Sequence, residues 1–283
     1  MRFLFLTDFH GNHSAYKRAF KAARDLKVDA VINGGDTLPK SFARGTPFAK
    51  EQDHFLKNWL IPKVEKLRQD GIDFYMMFGN DDAKGIIKTL DKADEMKTLI
   101  RLDGKGWLPL GDHWVLGLPW VPDYPFGLKD WCCGDTEAVP NPVQFGGAVV
   151  TDQFHFIDVE RPWAEEIADR PTLADRIAAL PPCPDPAKGV FVMHCPPAHG
   201  GLDKIARTGE CVGSKAGLAH IAEVQYRLSL HGHIHEAPRE SGHWFARIGD
   251  TLAVNPGALP PHHVVVDLEA GTVEHHQFGE VRI

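Results

Sequence analysis

Five short hydrophobic runs, rich in β-branched or aromatic residues, are spread along the chain, and each ends close to glycine, aspartate or asparagine. They are Arg2–Thr7, Val28–Asn33, Ile72–Phe78, Gly189–His194 and Arg227–Leu230. Continuous apolar runs bounded by turn residues are typical of strands that are buried on both faces. The pattern therefore predicts five strands inside a covered sheet.

Amphipathic segments separate the early runs. Ser14–Leu26, Glu51–Gln69 and, less regularly, Ala83–Lys97 place polar side chains on one face of a helix, and Asn12 or Ser14 can cap the first of them. The order strand, helix, strand, helix, strand predicts an α/β fold that begins with a mostly parallel sheet.

The last third of the chain has a different pattern. Short strand-like runs alternate there with glycine or proline turns, as in an antiparallel meander: His243–Ile248, Thr251–Asn255, His263–Leu268 and Thr272–Phe278. No linker or repeat divides the sequence, so we expect residues 1–283 to form one domain with two sheet layers. His262, His263, His275 and His276 are expected at the surface of the meander.

Two irregular segments interrupt this order. The longer is Pro119–Gly147, in which five large aromatic residues lie among prolines and glycines; the shorter is Pro39–Pro47. Long stretches without regular structure in a compact domain are often lids or binding loops. Both a lid and a packed insertion with its own aromatic cluster fit the composition of Pro119–Gly147.

Composition narrows the choice of function. The 283 residues are 43% hydrophobic and 24% charged, a globular balance, and 31 basic against 38 acidic residues give a formal charge of −7. A negative net charge argues against a nucleic-acid partner. The sequence contains no run of about 20 apolar residues, which a membrane-spanning helix would need. The five cysteines lack disulfide-scaffold spacing, which predicts reduced thiols and a cytoplasmic setting. The oligomeric state is left open.

Possible metal ligands follow each of the five runs. Because the carboxyl ends of parallel strands meet at one edge of a sheet, we expect these side chains to converge. They are Asp8, His10, Asp36, Asn80, His194, His233 and His235. One Asp-x-His or Gly-Asp pair means little alone, whereas the ordered set at successive strand ends predicts a metal site.

In this order, Asp8-x-His10, Gly35-Asp36, Gly79-Asn80, His194 and Gly232-His233-x-His235 resemble the signature of the calcineurin-like metallophosphoesterases, over roughly residues 2–257. The resemblance implies a four-layer αββα sandwich, in which two mixed β-sheets are flanked by helices. It also implies two metal ions. One is held by Asp8, His10, Asp36 and His235, and the other by Asp36, Asn80, His194 and His233.

Imidazole and oxygen donors without thiolates suit Mn²⁺ best among the candidates, with Fe or Zn²⁺ as alternatives. Two such divalent or trivalent ions clamp a phosphate and activate water as the attacking hydroxide. The resemblance thus implies a hydrolase of small phosphoesters, with Asp36 and Asn80 at the reacting centre.

The sequence departs from this family at one position. Most members carry a histidine after the Gly-Asn pair, assigned as proton donor to the leaving group, whereas this chain has Asp81. An ordinary aspartate is ionised at neutral pH and repels a dianionic monoester. We therefore expect a phosphodiesterase on small or nucleotide-like diesters. A broad-specificity phosphomonoesterase and a non-catalytic nucleotide sensor are the alternatives.

Other substrate contacts are weakly specified. His199, in a Pro/Gly loop beyond His194, is a substitute acid or an ordinary loop residue. Asn80, Ser214 and Lys215 are candidate contacts to substrate phosphate, the last two at a predicted helix start. A helix cap followed by a solvated lysine explains Ser214 and Lys215 equally well.

Overall fold

The structure is a computed structural model, and it describes residues 1–40 and 47–283. Residues 41–46, inside the irregular Pro39–Pro47 segment, lie outside the described residues. The strands of the described part are, in chain order, β1 (Arg2–Leu6), β2 (Ala30–Asn33), β3 (Asp73–Met76), β4 (Ile100–Arg101), β5 (Leu108–Leu110), β6 (His113–Leu118), β7 (Val121–Pro122), β8 (Cys132–Cys133), β9 (Val149–Asp152), β10 (His155–Asp158), β11 (Gly189–Met193), β12 (Leu228–Leu230), β13 (Phe245–Ile248), β14 (Thr251–Val254), β15 (His263–Asp267), β16 (Thr272–His275) and β17 (Gly279–Arg282).

The helices lie between these strands. They are α1 (His13–Asp25), α2 (Phe48–Phe55), α3 (Ile61–Gln69), α4 (Ile87–Glu95), α5 (Trp163–Ala168), α6 (Leu173–Ala178), α7 (Lys215–Val224) and α8 (Ala237–Ser241). Asn12 caps α1, because its side chain accepts a hydrogen bond from the Ala15 N–H. The predicted helix Glu51–Gln69 is divided by a π-helical turn, Leu56–Leu60. Pro62 follows this turn and has no N–H to continue the α-helical ladder.

Two large mixed sheets form the body of the molecule. The first has the order β17-β16-β15-β1-β2-β3-β4, and the second has the order β13-β14-β12-β11-β6-β5. Strands β1 to β4 are parallel, as are β6, β11, β12 and β14. The predicted parallel start is therefore confirmed.

Alternating side chains of β1 show how the layers pack. Phe3 and Phe5 enter the apolar layer that also contains Val190 and Val192 of β11, so this layer lies between the two sheets. Leu4 and Leu6 point the other way, into the cluster with helices α1 to α4. The opposite face of the second sheet packs on α6 and α7. Because successive side chains of a strand point to opposite faces, this is the predicted αββα sandwich.

The C-terminal strands do not form a single meander. Strands β13 and β14 form a hairpin in the second sheet, where β14 also pairs in parallel with β12. Strands β15, β16 and β17 cross to the first sheet, and β15 pairs antiparallel with β1. The prediction of one antiparallel meander was therefore wrong, because the segment between β14 and β15 carries the chain from one sheet to the other.

The predicted surface position of His275 was also wrong, since its side chain is buried. Its Nδ1 accepts a hydrogen bond from the Gln277 N–H, and its Nε2 lies 2.7 Å from His262 Nε2. Burial lowers the pKa of His275 to about 4. The ring is therefore neutral at pH 7 and belongs to a hydrogen-bonded pair inside the fold.

We predict that His275 makes the protein sensitive to acid. Its pKa in the unfolded chain is about 6.5, so the unfolded state binds more protons as the pH falls from 6.5 toward 4. Stability present above pH 6.5 is lost through this window, at up to about 1.4 kcal/mol per pH unit for one proton. Chemical denaturation of His275→Gln should show a flatter pH dependence than the wild type. The exposed His155→Gln variant is the control, and equal slopes in all three proteins would contradict the role of His275.

Candidate metal centre

The carboxyl ends of strands from both sheets meet at one edge of the sandwich. Asp8 follows β1, Asp36 follows β2 and Asn80 follows β3, while His194 follows β11 and His233 follows β12. Backbone hydrogen bonds lock the loops together, with the Asp8 N–H donating to Gly35 at 3.0 Å. The predicted convergence of side chains at strand ends is confirmed by these positions.

The loops at this edge have an unusual backbone. Asp8, His10, Asp36 and His233 all have positive φ, between 44° and 66°. Left-handed conformations in residues other than glycine cost free energy and concentrate at functional sites. Gly79 is needed for a different reason, because a Cβ there would lie 2.3 Å from Asp36 Oδ1. The chain accepts this strain and close packing to bring polar groups together.

Asp8, His10, Asp36 and His235 form the first group of possible ligands. All four offer ligand atoms within 4.8 Å of one another. His235 Nε2 lies 3.1 Å from Asp8 Oδ1 and 3.1 Å from His10 Nε2, and His10 Nε2 lies 3.8 Å from Asp36 Oδ2. Two ring nitrogens and two carboxylates thus face a common point, as the ligands of a divalent cation do.

The second group shares Asp36 with the first. His194 Nε2 lies 3.4 Å from Asp36 Oδ1 and 3.1 Å from Asn80 Oδ1. His233 Nδ1 lies 2.6 Å from the same Asn80 oxygen. The two oxygens of the Asp36 carboxylate therefore face different histidines, His10 and His194. This is the arrangement that a carboxylate bridging two cations requires.

The hydrogen bonds around the rings fit a cation. His194 Nδ1 lies 2.8 Å from the Gly34 carbonyl, which accepts a hydrogen bond from the Nδ1–H group and leaves Nε2 free to bind a metal ion. His10 Nδ1 is buried and has no hydrogen-bond partner among the described residues. The facing nitrogens of His10 and His235 can share only one proton, so at least one lone pair points into the site. The residues present therefore fit the implied metal ions.

Electrostatics divides the histidines into two kinds. Burial lowers the pKa of His10 to about 4 and that of His233 to about 3, which keeps both rings neutral at pH 7. Burial also disfavours the charged form of His194, but the Asp36 carboxylate raises its pKa to about 9. Although burial opposes ionisation of Asp8, His235 holds the pKa of Asp8 well below its usual value. Burial likewise disfavours the charged form of His235, but the Asp8 carboxylate raises its pKa. Cations therefore compete with a proton at His194 and His235.

Asp81 lies beside this centre and is paired with a lysine. Lys40 Nζ is 2.5 Å from Asp81 Oδ2, and the Asp81 N–H donates to Asp36 Oδ1 at 2.8 Å. Burial and the charge of Asp36 raise the pKa of Asp81 to about 6, against the opposing effect of Lys40. Lys40 was not among the predicted site residues. The feature of the sequence that could have identified it is its position in the loop after β2, four residues beyond Asp36.

Asp82 was also missed, and it holds two loops of the centre together. Its carboxylate accepts the N–H groups of Thr37 at 3.0 Å, Leu38 at 2.8 Å and Gly79 at 2.9 Å. Asp82 is fully buried. Its bonds join the loop after β2 to the loop after β3, and so they position Asp36 relative to Asn80. Its signal in the sequence was a second acidic residue directly after Asp81.

The remaining predicted site residues have other partners. His199 is exposed, and its Nε2 lies 3.0 Å from the carbonyl of Arg247 on β13. Ser214 is buried and caps α7, with its hydroxyl donating to Asp135 at 2.5 Å. Lys215 is exposed at the first position of that helix. The structure does not bring these three side chains into the two ligand groups, and their catalytic or substrate-binding roles remain predictions.

The family model for calcineurin-like phosphoesterases matches residues 1–237. The chain belongs to the calcineurin-like phosphoesterase family. Its members are dimetal-dependent, so this protein is a metal-dependent phosphoesterase, and the predicted family and enzyme class are confirmed. No curated protein matches the chain in sequence.

Solved structures with this fold share little sequence with the chain. The protein TT1561 of Thermus thermophilus is 15% identical, with a TM-score of 0.53 over 99% of this chain and 98% of that one. Phosphopantetheinyl Hydrolase (PptH) from Mycobacterium tuberculosis is 14% identical, with a TM-score of 0.52 over 90% and 88%. A dimetal phosphatase from Danio rerio is 12% identical, with a TM-score of 0.51 over 100% and 96%. At these identities the likeness shows the fold alone.

The structure also bears on membrane-spanning helices and on the state of the cysteines. Among the described residues, no helix is both long and apolar enough to cross a membrane. The five cysteines, all within the described part, carry free thiols.

We predict that Asp36→Asn removes metal and activity together. The amide keeps the shape of the side chain but loses the negative charge that faces both ligand groups. Metal analysis of the purified variant should give less than half the wild-type content, and phosphoester turnover should fall at least about 100-fold. The exposed Asp112→Asn variant is the control. Full metal content in Asp36→Asn would contradict a shared ligand.

Proposed function

We propose that this phosphoesterase is a two-metal phosphodiesterase that acts on small phosphodiesters. The observation that supports this choice best is Asp81. A carboxylate paired with Lys40 stands next to Asp36 and Asn80, where the family resemblance implies an imidazole. A phosphodiester carries one negative charge and a monoester carries up to two, so the carboxylate disfavours the monoester more strongly.

In this proposal the two ligand groups each hold one metal ion. Asp8, His10, Asp36 and His235 hold the first, and the second is held by Asp36, Asn80, His194 and His233. Mn²⁺ suits this mixture of nitrogen and oxygen donors best, and Fe or Zn²⁺ are alternatives. When bound, the ions supply Lewis-acid stabilisation of the phosphate and activate water for attack.

The chain's own residues then set the preference among substrates. Asp81 is paired with the Lys40 ammonium, which stabilises its ionised form and makes it a poorer proton donor than an imidazolium. This favours esters whose leaving group departs without protonation. Lys40 keeps its ammonium at Asp81 and offsets part of the negative charge that an incoming phosphate meets. Asn80 directs its side-chain N–H to Asp81 at 3.2 Å, so its oxygen faces His194 and His233.

The direct test compares two substrates with one leaving group. With Mn²⁺, we expect kcat/KM for bis(p-nitrophenyl) phosphate to exceed that for p-nitrophenyl phosphate by about 10-fold or more. Asp81→His should raise the monoester rate by about 10-fold, because it removes the carboxylate that repels the dianionic ester. A monoester preference in the wild-type protein would contradict the proposal.

A broad-specificity phosphomonoesterase is the second candidate function. Lys40 favours it, because an ammonium beside Asp81 reduces the repulsion of a dianionic substrate. Membership of a hydrolytic family supports either enzyme over a nucleotide sensor without catalysis. The ion pair itself therefore needs a test.

We predict that Lys40→Met lowers diester kcat/KM by about 10-fold, because it leaves the Asp81 carboxylate unpaired beside the substrate. Asp81→Asn in the Lys40→Met background should restore part of the loss, which a double-mutant cycle measures as coupling. The exposed Lys17→Met variant controls for the loss of a positive surface charge. Additive effects of the two substitutions would mean that the pair does not act as a unit.

A further inference from the structure

Three aromatic rings of the Pro119–Gly147 insertion extend outward from the candidate metal centre. The Tyr124 ring lies 6.2 Å from the ring of His233, measured between centroids. Phe126 follows at 6.1 Å from Tyr124, and Phe145 at 6.4 Å from Phe126 in an edge-on arrangement. We call Tyr124, Phe126 and Phe145 the aromatic ridge. The ridge begins against a residue of the metal centre and ends at the surface.

The outer half of the ridge is open to solvent. Phe126 is 64% exposed and Phe145 is 67% exposed, whereas Tyr124 is largely covered. A single exposed hydrophobic side chain is common on proteins. Here two adjacent exposed rings are connected through Tyr124 to His233 of the candidate metal centre, and such an apolar patch is of the kind that marks a binding site.

The backbone that carries these rings is firmly held. The Asp123 carboxylate accepts hydrogen bonds from Lys129 Nζ at 2.8 Å, Gln144 Nε2 at 3.1 Å and Trp163 Nε1 at 3.0 Å. Lys129 is fully buried. These three bonds tie Asp123, the residue next to Tyr124, to three other positions of the chain.

A second set of bonds joins the two segments of the ridge. The Phe145 N–H donates to the Pro125 carbonyl at 3.0 Å, which places the stretch of chain bearing Phe145 beside that bearing Phe126. Val149 N–H likewise donates to the Gly127 carbonyl at 2.8 Å. The exposed rings therefore project from a fixed frame, which lowers the entropy cost of binding a ligand.

A cation stands at the outer end of the ridge. The guanidinium of Arg207, an exposed residue, lies 5.8 Å from the centre of the Phe145 ring. Aromatic faces combined with an arginine are the features with which proteins bind the flat rings of bases, through stacking and cation–π contact. An acyl chain would gain nothing from the arginine, so the charge favours a planar polar group.

We propose that the aromatic ridge binds the nucleobase of a nucleoside phosphodiester whose phosphate lies at the metal centre. This rests on the proposed diesterase function and adds its substrate class. The base stacks on Phe126 and Phe145, with Arg207 at its edge, while Tyr124 fills the space next to His233. The insertion then acts as a fixed wall for substrate recognition.

The test uses two diesters with the same leaving group. Thymidine 5′-p-nitrophenyl phosphate carries a base on the retained alcohol, whereas methyl p-nitrophenyl phosphate does not. In the Phe126→Ala/Phe145→Ala variant we expect KM for the thymidine ester to rise about 10- to 100-fold, because both rings on which the base stacks are lost. Its kcat, and kcat/KM for the methyl ester, should change less than about twofold.

A binding measurement provides a readout that does not require turnover. Calorimetric titration with thymidine 5′-monophosphate should show its Kd rising by a similar factor in the double variant. Phe278→Ala is the matched control, because Phe278 is also exposed, at 45%, but lies on the turn between β16 and β17. Melting temperatures of the three proteins show whether folding is retained.

The outcomes separate the two proposals. Equal losses for both esters, or no loss for either, would overturn the base-binding role while leaving a diesterase in place. Loss of a concentration-dependent dimer in the double variant, with unchanged nucleotide affinity, would assign the ridge to self-association and overturn the proposal. Failure of the wild type to hydrolyse either ester would count against the diesterase, and the nucleotide titration would still test the ridge.

Discussion

The buried carboxylate of Asp36 is the group on which the rest of the site depends. Its two oxygens face His10 and His194, from opposite ligand groups, and one of them also accepts the Asp81 N–H. A fully buried carboxylate is costly unless opposite charge surrounds it. The left-handed backbone at Asp36 and the close approach of Gly79 serve to hold this one group where positive charge can reach it from two sides.

Around that carboxylate, the protein balances negative charge at two distances. Close to it, the rings of His10 and His233 are kept neutral by burial and offer lone pairs, whereas neighbouring carboxylates raise the pKa of His194 and His235. Farther out, Lys40 offsets Asp81 without entering the ligand groups. The site can therefore attract cations strongly and still accept an anionic substrate. This separation explains how an enzyme with a net negative charge handles phosphate esters.

The sequence predicted what depends on local order along the chain. Each hydrophobic run ends at or shortly before a candidate ligand, and the rule that parallel strands end at one edge was enough to predict that Asp8, Asp36 and His194 lie close together. It could not predict what depends on pairing between distant segments. The crossing from β14 to β15 is invisible to a local pattern, and so is the burial of His275 that follows from it. Lys40 was missed because a lysine after a proline resembles any surface loop until its partner is located.

The pairing of β15 with β1 limits where this chain can be truncated without exposing the first sheet. The family match stops at residue 237, yet β15, β16 and β17 complete the first sheet beyond that point. Without them, β1 would become an edge strand with unpaired N–H and carbonyl groups, open to association with other chains. The segment that follows the predicted ligand motifs thus protects the strand that leads to Asp8. A chain truncated after residue 237 would keep these motifs but lose the strands that cover β1.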